Sequence, residues 1–180
     1  KFNEVIYFDN AATTRKKPET VYDALDYYIR KIGTSPGRGS HLLAIEASRY
    51  LYESRKAVSN YFGCLSTNNV IFTKNATEAS NLFLRGFLGK GDHVLISPME
   101  HNAIFRPIHR LREEGRIDYD ILPIEVFRDL NEDILDLYIK ENTKLCILTL
   151  ASNVTGEVLY SSEIIKYLKS RNIKILLDTA

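Results

Sequence analysis

Thr77, His101, Asn153 and Asp178 are the residues of this 180-residue chain whose types and settings suit chemistry. Each closely follows a short β-branched or apolar run. Thr77 lies in Lys74-Asn-Ala-Thr-Glu78 at the head of an apolar helical pattern, where free backbone N–H groups and the positive end of a helix attract an anion and the hydroxyl adds a donor. His101, in Pro98-Met-Glu-His-Asn102, offers a flat imidazole that can stack on a heteroaromatic ring or move a proton. Asn153 brings an amide to Ala151-Ser-Asn-Val-Thr-Gly156, where the glycine allows a sharp turn. Asp178 ends an apolar run, where its carboxylate can pair with a protonated ring nitrogen. Taken singly, these settings have plainer uses. Asn75 and Glu78 make an ordinary capping box, His101 suits a helix start, Asn153 a polar turn, and Asp178 the N-cap of a following helix.

Taken together, an anion cradle, a flat ring, an amide and a carboxylate suit one aromatic phosphate ester. Pyridoxal phosphate needs this set: donors for its phosphate, a stacking partner, a hydrogen bond to its phenolic oxygen, and a carboxylate that keeps its ring nitrogen protonated. Two other nucleotide readings fail. Gly86-Phe-Leu-Gly-Lys-Gly91 lacks the spacing and final Ser/Thr of a P-loop, and no G-x-G-x-x-G follows a strand.

The elements that must position these groups alternate between short β-branched runs and longer amphipathic stretches, the pattern of βα units feeding a mostly parallel sheet with helices on both faces. Strands are predicted at Val5 to Phe8, Val70 to Thr73, His93 to Ser97, Tyr119 to Leu122, Lys144 to Leu150 and Ile173 to Asp178. Helices are predicted at Glu19 to Lys31, Leu42 to Phe62, Ala76 to Leu88, Ala103 to Glu114, Asn131 to Lys140 and Ser161 to Arg171. Gly33-Thr-Ser-Pro-Gly-Arg-Gly-Ser-His41 interrupts the helices as a shaped loop. The carboxyl ends of strands are where α/β sheets bind ligands, so the four groups are expected at one rim. The last strand is followed only by Thr179 and Ala180, whereas a doubly wound sheet continues with a further helix, so a truncated protein is expected.

Composition narrows the function classes. Lys plus Arg is 24 against 23 for Asp plus Glu, a net charge of +1, which gives no field for nucleic acid or an anionic membrane. No apolar run approaches a bilayer span and the start lacks a signal-peptide core, so a cytoplasmic protein with a small-molecule partner is expected. Cys64 and Cys146 are too few and too far apart for a disulfide framework or a metal site. Cys146, inside Lys144-Leu-Cys-Ile-Leu-Thr-Leu150, reads as a buried structural thiol.

Six motifs in order and register carry a likeness: Tyr7-Phe-Asp-Asn-Ala-Ala-Thr-Thr14, Pro36-Gly-Arg-Gly-Ser-His41, Phe72 to Glu78, Glu100-His-Asn-Ala103, Ala151 to Gly156 and Leu177-Asp-Thr-Ala180. Across essentially its whole length the chain resembles the class V aminotransferases, specifically the cysteine desulfurases. The resemblance implies the type I fold of pyridoxal-phosphate enzymes. Residues 15–180 would form the N-terminal part of the cofactor-binding large domain, and residues 1–14 would reach toward a small domain. It implies that Ala76 and Thr77 bind phosphate, that His101 stacks on the ring and helps move protons, that Asn153 bonds the ring oxygen or the substrate, and that Asp178 pairs with the pyridinium nitrogen. Ala12 would approach the substrate.

The implied reaction converts L-cysteine to L-alanine, with the ring as electron sink and the sulfur passed to a cysteine thiolate. A homodimer and a sulfur-acceptor protein are implied partners. Other class V aminotransferases or lyases share the scaffold, and a non-catalytic folded fragment or interaction module is the alternative from another class. The sequence departs from the family pattern at Lys74-Asn75, where serine-glycine or arginine-glycine is usual. The Schiff-base lysine and the persulfide-carrying cysteine belong to later family sequence, and neither Cys64 nor Cys146 occupies that cysteine's place.

Overall fold

The computed structural model describes residues 5–159 and 161–180, so Lys1 to Glu4 of the predicted N-terminal segment lie outside the described residues. The chain divides into two compact units, Lys1–Phe72 and Thr73–Ala180. In the first, helix α1 (Glu19–Tyr27) runs into a π-helical turn, Tyr28–Ile32, that stops at Gly33 with φ 56°. A left-handed residue at that position ends a helix without the Cβ penalty any other side chain would bring. Helix α2 (Leu42–Tyr61) starts at His41, whose Nδ1 accepts the Ala44 N–H at 3.3 Å. The predicted helix from Glu19 is therefore present, with its last turn widened.

Two predicted strands are absent, a correction with one cause. Val5 to Phe8 and Val70 to Thr73 carry the right residue types but adopt no strand structure. Beside the first, the Tyr7 hydroxyl donates to the Asp9 and Thr13 carbonyls. At the second, the Val70 N–H donates to Thr67 O at the end of a 3-10 turn, Thr67–Asn69. A strand exists only where a neighbour supplies ladder partners, and residue type alone cannot provide one.

In the second unit the alternation predicts the architecture well. Strands β1 (Asp92–Ile96), β2 (Ile117–Ile121), β3 (Thr143–Thr149) and β4 (Lys174–Asp178) form one parallel sheet in the order β2-β1-β3-β4. Strand side chains alternate between faces. Val94, Ile96, Leu145 and Ile147 pack with Leu84, Ile104, Ile108 and Leu111 from helices α3 (Ala76–Phe87) and α4 (Asn102–Glu113). Leu95, Cys146 and Leu148 face the other way. They join residues of α5 (Glu125–Arg128), α6 (Glu132–Tyr138) and α7 (Ser162–Ser170). Helices thus cover both faces, as the βα pattern implied. Helix α5 was not predicted, being a single turn after Pro123. Strand β2 begins two residues before its predicted start because Ile117, at 6% exposure, belongs to the same buried face as Tyr119.

The amino end of the sheet carries its own polar lock. His93 is completely buried, with Nδ1 2.8 Å from Thr143 Oγ1 and Nε2 3.1 Å from Asp120 Oδ2. Lys140 Nζ is 2.7 Å from the same Asp120 oxygen. The network ties β1 to both of its neighbours at the end opposite the rim where Asp178 lies. Among the described residues no helix is long and apolar enough to cross a membrane.

Candidate functional site

Thr77 is set by the start of α3. Asn75 caps that helix, its Oδ1 accepting the Glu78 N–H at 2.9 Å, while Glu78 Oε2 accepts the Lys74 N–H at 2.7 Å. The Asn75 half of the box is present, while Glu78 reaches one residue further back than a capping box requires, and the caps do not exhaust the helix end. The Ala76 and Thr77 amides are in the first turn, where a helix supplies no acceptor. The Thr77 hydroxyl stands on the same exposed turn.

His101 is set by the start of α4, where its Nδ1 accepts the Ala103 N–H at 3.0 Å. In the neutral ring this leaves the proton on Nε2. Thr77 and His101 line one open cleft of about 440 Å³ between α3 and α4, together with Asn81, Arg85, Arg106 and Arg110. Arg85 and Arg110 also pair with Glu114. The three arginine side chains make the cleft suited to an anion.

Asn153 lies in an exposed turn directly after β3, and the turn is held by its neighbour. The Ser152 hydroxyl accepts the Val154 and Thr155 N–H groups at 3.3 and 3.2 Å. Thr155 Oγ1 approaches Met99 Sδ at 3.8 Å, which sets this turn beside the β1–α4 loop that carries His101. Asp178 ends β4 opposite Thr149 of β3, and its Oδ1 accepts the Ala180 N–H at 2.9 Å, as a helix-capping aspartate would. Three of the four predicted rim positions hence follow true strand ends. The fourth, at Thr77, follows the extended but unpaired segment that ends at Thr73. Neither Asn153 nor Asp178 lines the cleft of Thr77 and His101. Ala12 is exposed in a turn of the first unit.

Glu100, next to His101 in the chain, has Oε1 2.5 Å from the Ser97 hydroxyl, which donates to it. Its Oε2 is buried with no partner at full hydrogen-bond geometry among the described residues, while the Thr149 N–H and hydroxyl lie close enough to favour its charged form. Burial first, and then the negative charge of Asp178, push the Glu100 carboxyl up to about 7, against the pull of the Ser97 hydroxyl. Sequence placed Glu100 in the motif, but no pattern there distinguishes an inward carboxyl from a solvated one. Cys146 is fully buried in β3, and burial pushes its thiol far above the usual range. It is a core residue, as its apolar surroundings in the sequence imply.

The run from residue 6 to residue 180 matches the model of the aminotransferases of class V. The chain belongs to that family. Among curated class-V relatives, a cysteine desulfurase of Serratia proteamaculans is 34% identical over 178 residues, covering 97% of this chain and 44% of that protein. One from Synechococcus elongatus is 30% identical over 180 residues, covering 98% of this chain and 29% of that protein. The apo structure of the cysteine desulfurase from Thermococcus onnurineus is 31% identical, with a TM-score of 0.85 over 99% of this chain and 44% of that one. The class-V chain therefore has the type I fold of pyridoxal-phosphate enzymes and spans less than half the length of these relatives.

Proposed function

We propose that this class-V chain supplies the noncovalent half of a pyridoxal-phosphate site in a cysteine desulfurase. The observation that carries the reading is the cleft shared by Thr77 and His101, which puts anion donors and a flat ring at one place. The family depends on pyridoxal phosphate, and the residue types present suit it, with Asn153 and Asp178 at strand ends outside that cleft. Ala76 and Thr77 would hold the phosphate through amides that the helix leaves free. His101 would stack on the ring, with its Nε2 proton available at the site. Asn153 would bond the ring oxygen or the substrate, and Asp178 would hold the proton on the ring nitrogen. When bound, the cofactor supplies an electron sink. The substrate would be L-cysteine.

Cys146 is excluded as sulfur carrier by its burial in β3 and its raised thiol, since the thiolate is the nucleophile. By the resemblance the persulfide belongs to a cysteine of the family's later sequence, a place that neither Cys64 nor Cys146 occupies. A homodimer, a sulfur-acceptor protein and a cytoplasmic location belong to the same reading, as does the division into an N-terminal segment and a large domain from residue 15.

The test is direct addition of pyridoxal phosphate to the chain, followed by ligand absorbance and by the melting temperature. Saturable binding with a raised melting temperature is expected. His101→Ala and Thr77→Val should each weaken it several-fold. No shift at any concentration, or unaltered affinity in both variants, would overturn the reading.

A further inference from the structure

We propose that Glu100 is a positioning residue of this site, coupled by charge to Asp178, so that its proton sets how much negative charge the floor presents at the end of β4. The proposal rests on the reading of Asp178 as partner of a ring nitrogen.

The geometry is a small polar cluster closed off beneath the strand ends. Ser97, at 1% exposure, follows β1, and its N–H donates to Ile147 O of β3. Its hydroxyl is committed to Glu100 Oε1. Thr149, at 5% exposure, is in register with Asp178. Glu100 Oε2 is left buried with no partner among the described residues. A buried carboxylate oxygen without a donor is costly, whereas a neutral carboxyl at the same place costs much less. Burial and the missing partner favour the protonated acid and Asp178 adds to that preference through its own charge, while Ser97 and Thr149 pull the other way.

The groups that face Glu100 are few. The charge of Asp178 acts on it from β4, and Thr149 and Cys146 stand near it on β3. Cys146 stays neutral, its thiol pushed up by burial and by Glu100 itself. The exchange that matters is consequently between Glu100, which releases its proton to solvent as pH rises, and Asp178. With Glu100 neutral, Asp178 is the anion offered at the rim. With Glu100 ionised, two carboxylates face the same place, and a cation there binds more tightly. By linkage, a cation bound at Asp178 draws the Glu100 proton off at lower pH. Glu100 therefore makes the charge of the site follow pH around neutrality.

The experiment is carbon-detected NMR of the 180-residue chain labelled at Glu and Asp carboxyls, titrated from pH 4 to pH 9. One Glu resonance is expected to titrate near 7, to vanish in Glu100→Gln, and to move to lower pH by several tenths of a unit in Asp178→Asn. Within the wild type, the Asp178 resonance should show an inflection at the pH where Glu100 titrates, a readout that needs no second variant to fold. A Glu100 midpoint in the ordinary carboxyl range, or an Asp178 resonance blind to it, overturns the proposal. A parallel titration with pyridoxal phosphate separates the two readings. If the ligand binds, the ratio of wild-type to Glu100→Gln affinity should rise several-fold between about pH 5.5 and 8.5. A flat ratio overturns the coupling, and absence of binding overturns the cofactor reading while the NMR result still decides the coupling.

Discussion

Replacing Glu100 by Gln should make the chain more stable at alkaline pH and leave it nearly unchanged at acid pH. Gln keeps an acceptor for the Ser97 hydroxyl, puts a neutral amide in the place of Oε2, and cannot ionise. In the wild type the carboxyl rises from 4.5 to about 7 on folding, mainly through burial. A raised carboxyl means that the folded chain holds a proton the unfolded chain releases. The stability that proton lends is complete below 4.5 and is lost as pH climbs toward 7. At about 1.4 kcal/mol per unit, the shift corresponds to on the order of 3 kcal/mol by pH 8. For a domain of this size that is a melting-temperature gap of roughly 6–12 °C. Urea unfolding at pH 5 and pH 8, followed by circular dichroism, measures it. The two proteins should nearly coincide at pH 5 and separate at pH 8 with unchanged denaturant slope. Equal spacing at both values would refute the reasoning, because a packing or hydrogen-bond effect of the substitution does not depend on pH.

Two further perturbations test other parts of the fold. Burial and the nearby Lys140 charge hold the His93 imidazole below its ordinary value, despite Asp120. Its contribution is therefore present above about 6.5 and lost as pH falls below it, so His93→Asn should flatten the loss of stability between pH 6.5 and 5 in thermal melts. Leu95 is fully buried in β1 on the face covered by α5, α6 and α7, and Leu95→Ala should cost about 2–5 kcal/mol in urea unfolding. A cost under 1 kcal/mol would mean that this face is not packed as described.

What was legible in the sequence follows the range of the forces involved. Caps are local, and Asn75, Asn131 and Ser161 each accept the N–H three residues on, next to the helices predicted beside them. The buried strands of the parallel sheet announced themselves as continuous apolar runs, because helices cover both faces. Val5 to Phe8 and Val70 to Thr73 looked the same yet form no strand, since pairing depends on a partner far away in sequence. The site shows the same division. Thr77, His101, Asn153 and Asp178 could be picked out by their places after apolar runs, which a chain reader can count. Glu100 could not, because the burial that raises its carboxyl comes from the convergence of β1, β3 and β4, and no sequence window contains that.

The buried thiol of β3 gives the sheet a built-in clock. Cys146 is fully buried, whereas Cys64 is partly exposed in the first unit. A thiol reagent should therefore label Cys64 promptly, and reach Cys146 only when the strand that carries it comes apart from its neighbours. The slow phase of that labelling, read by mass spectrometry of the intact chain, times the opening of the sheet with no substitution made to observe it.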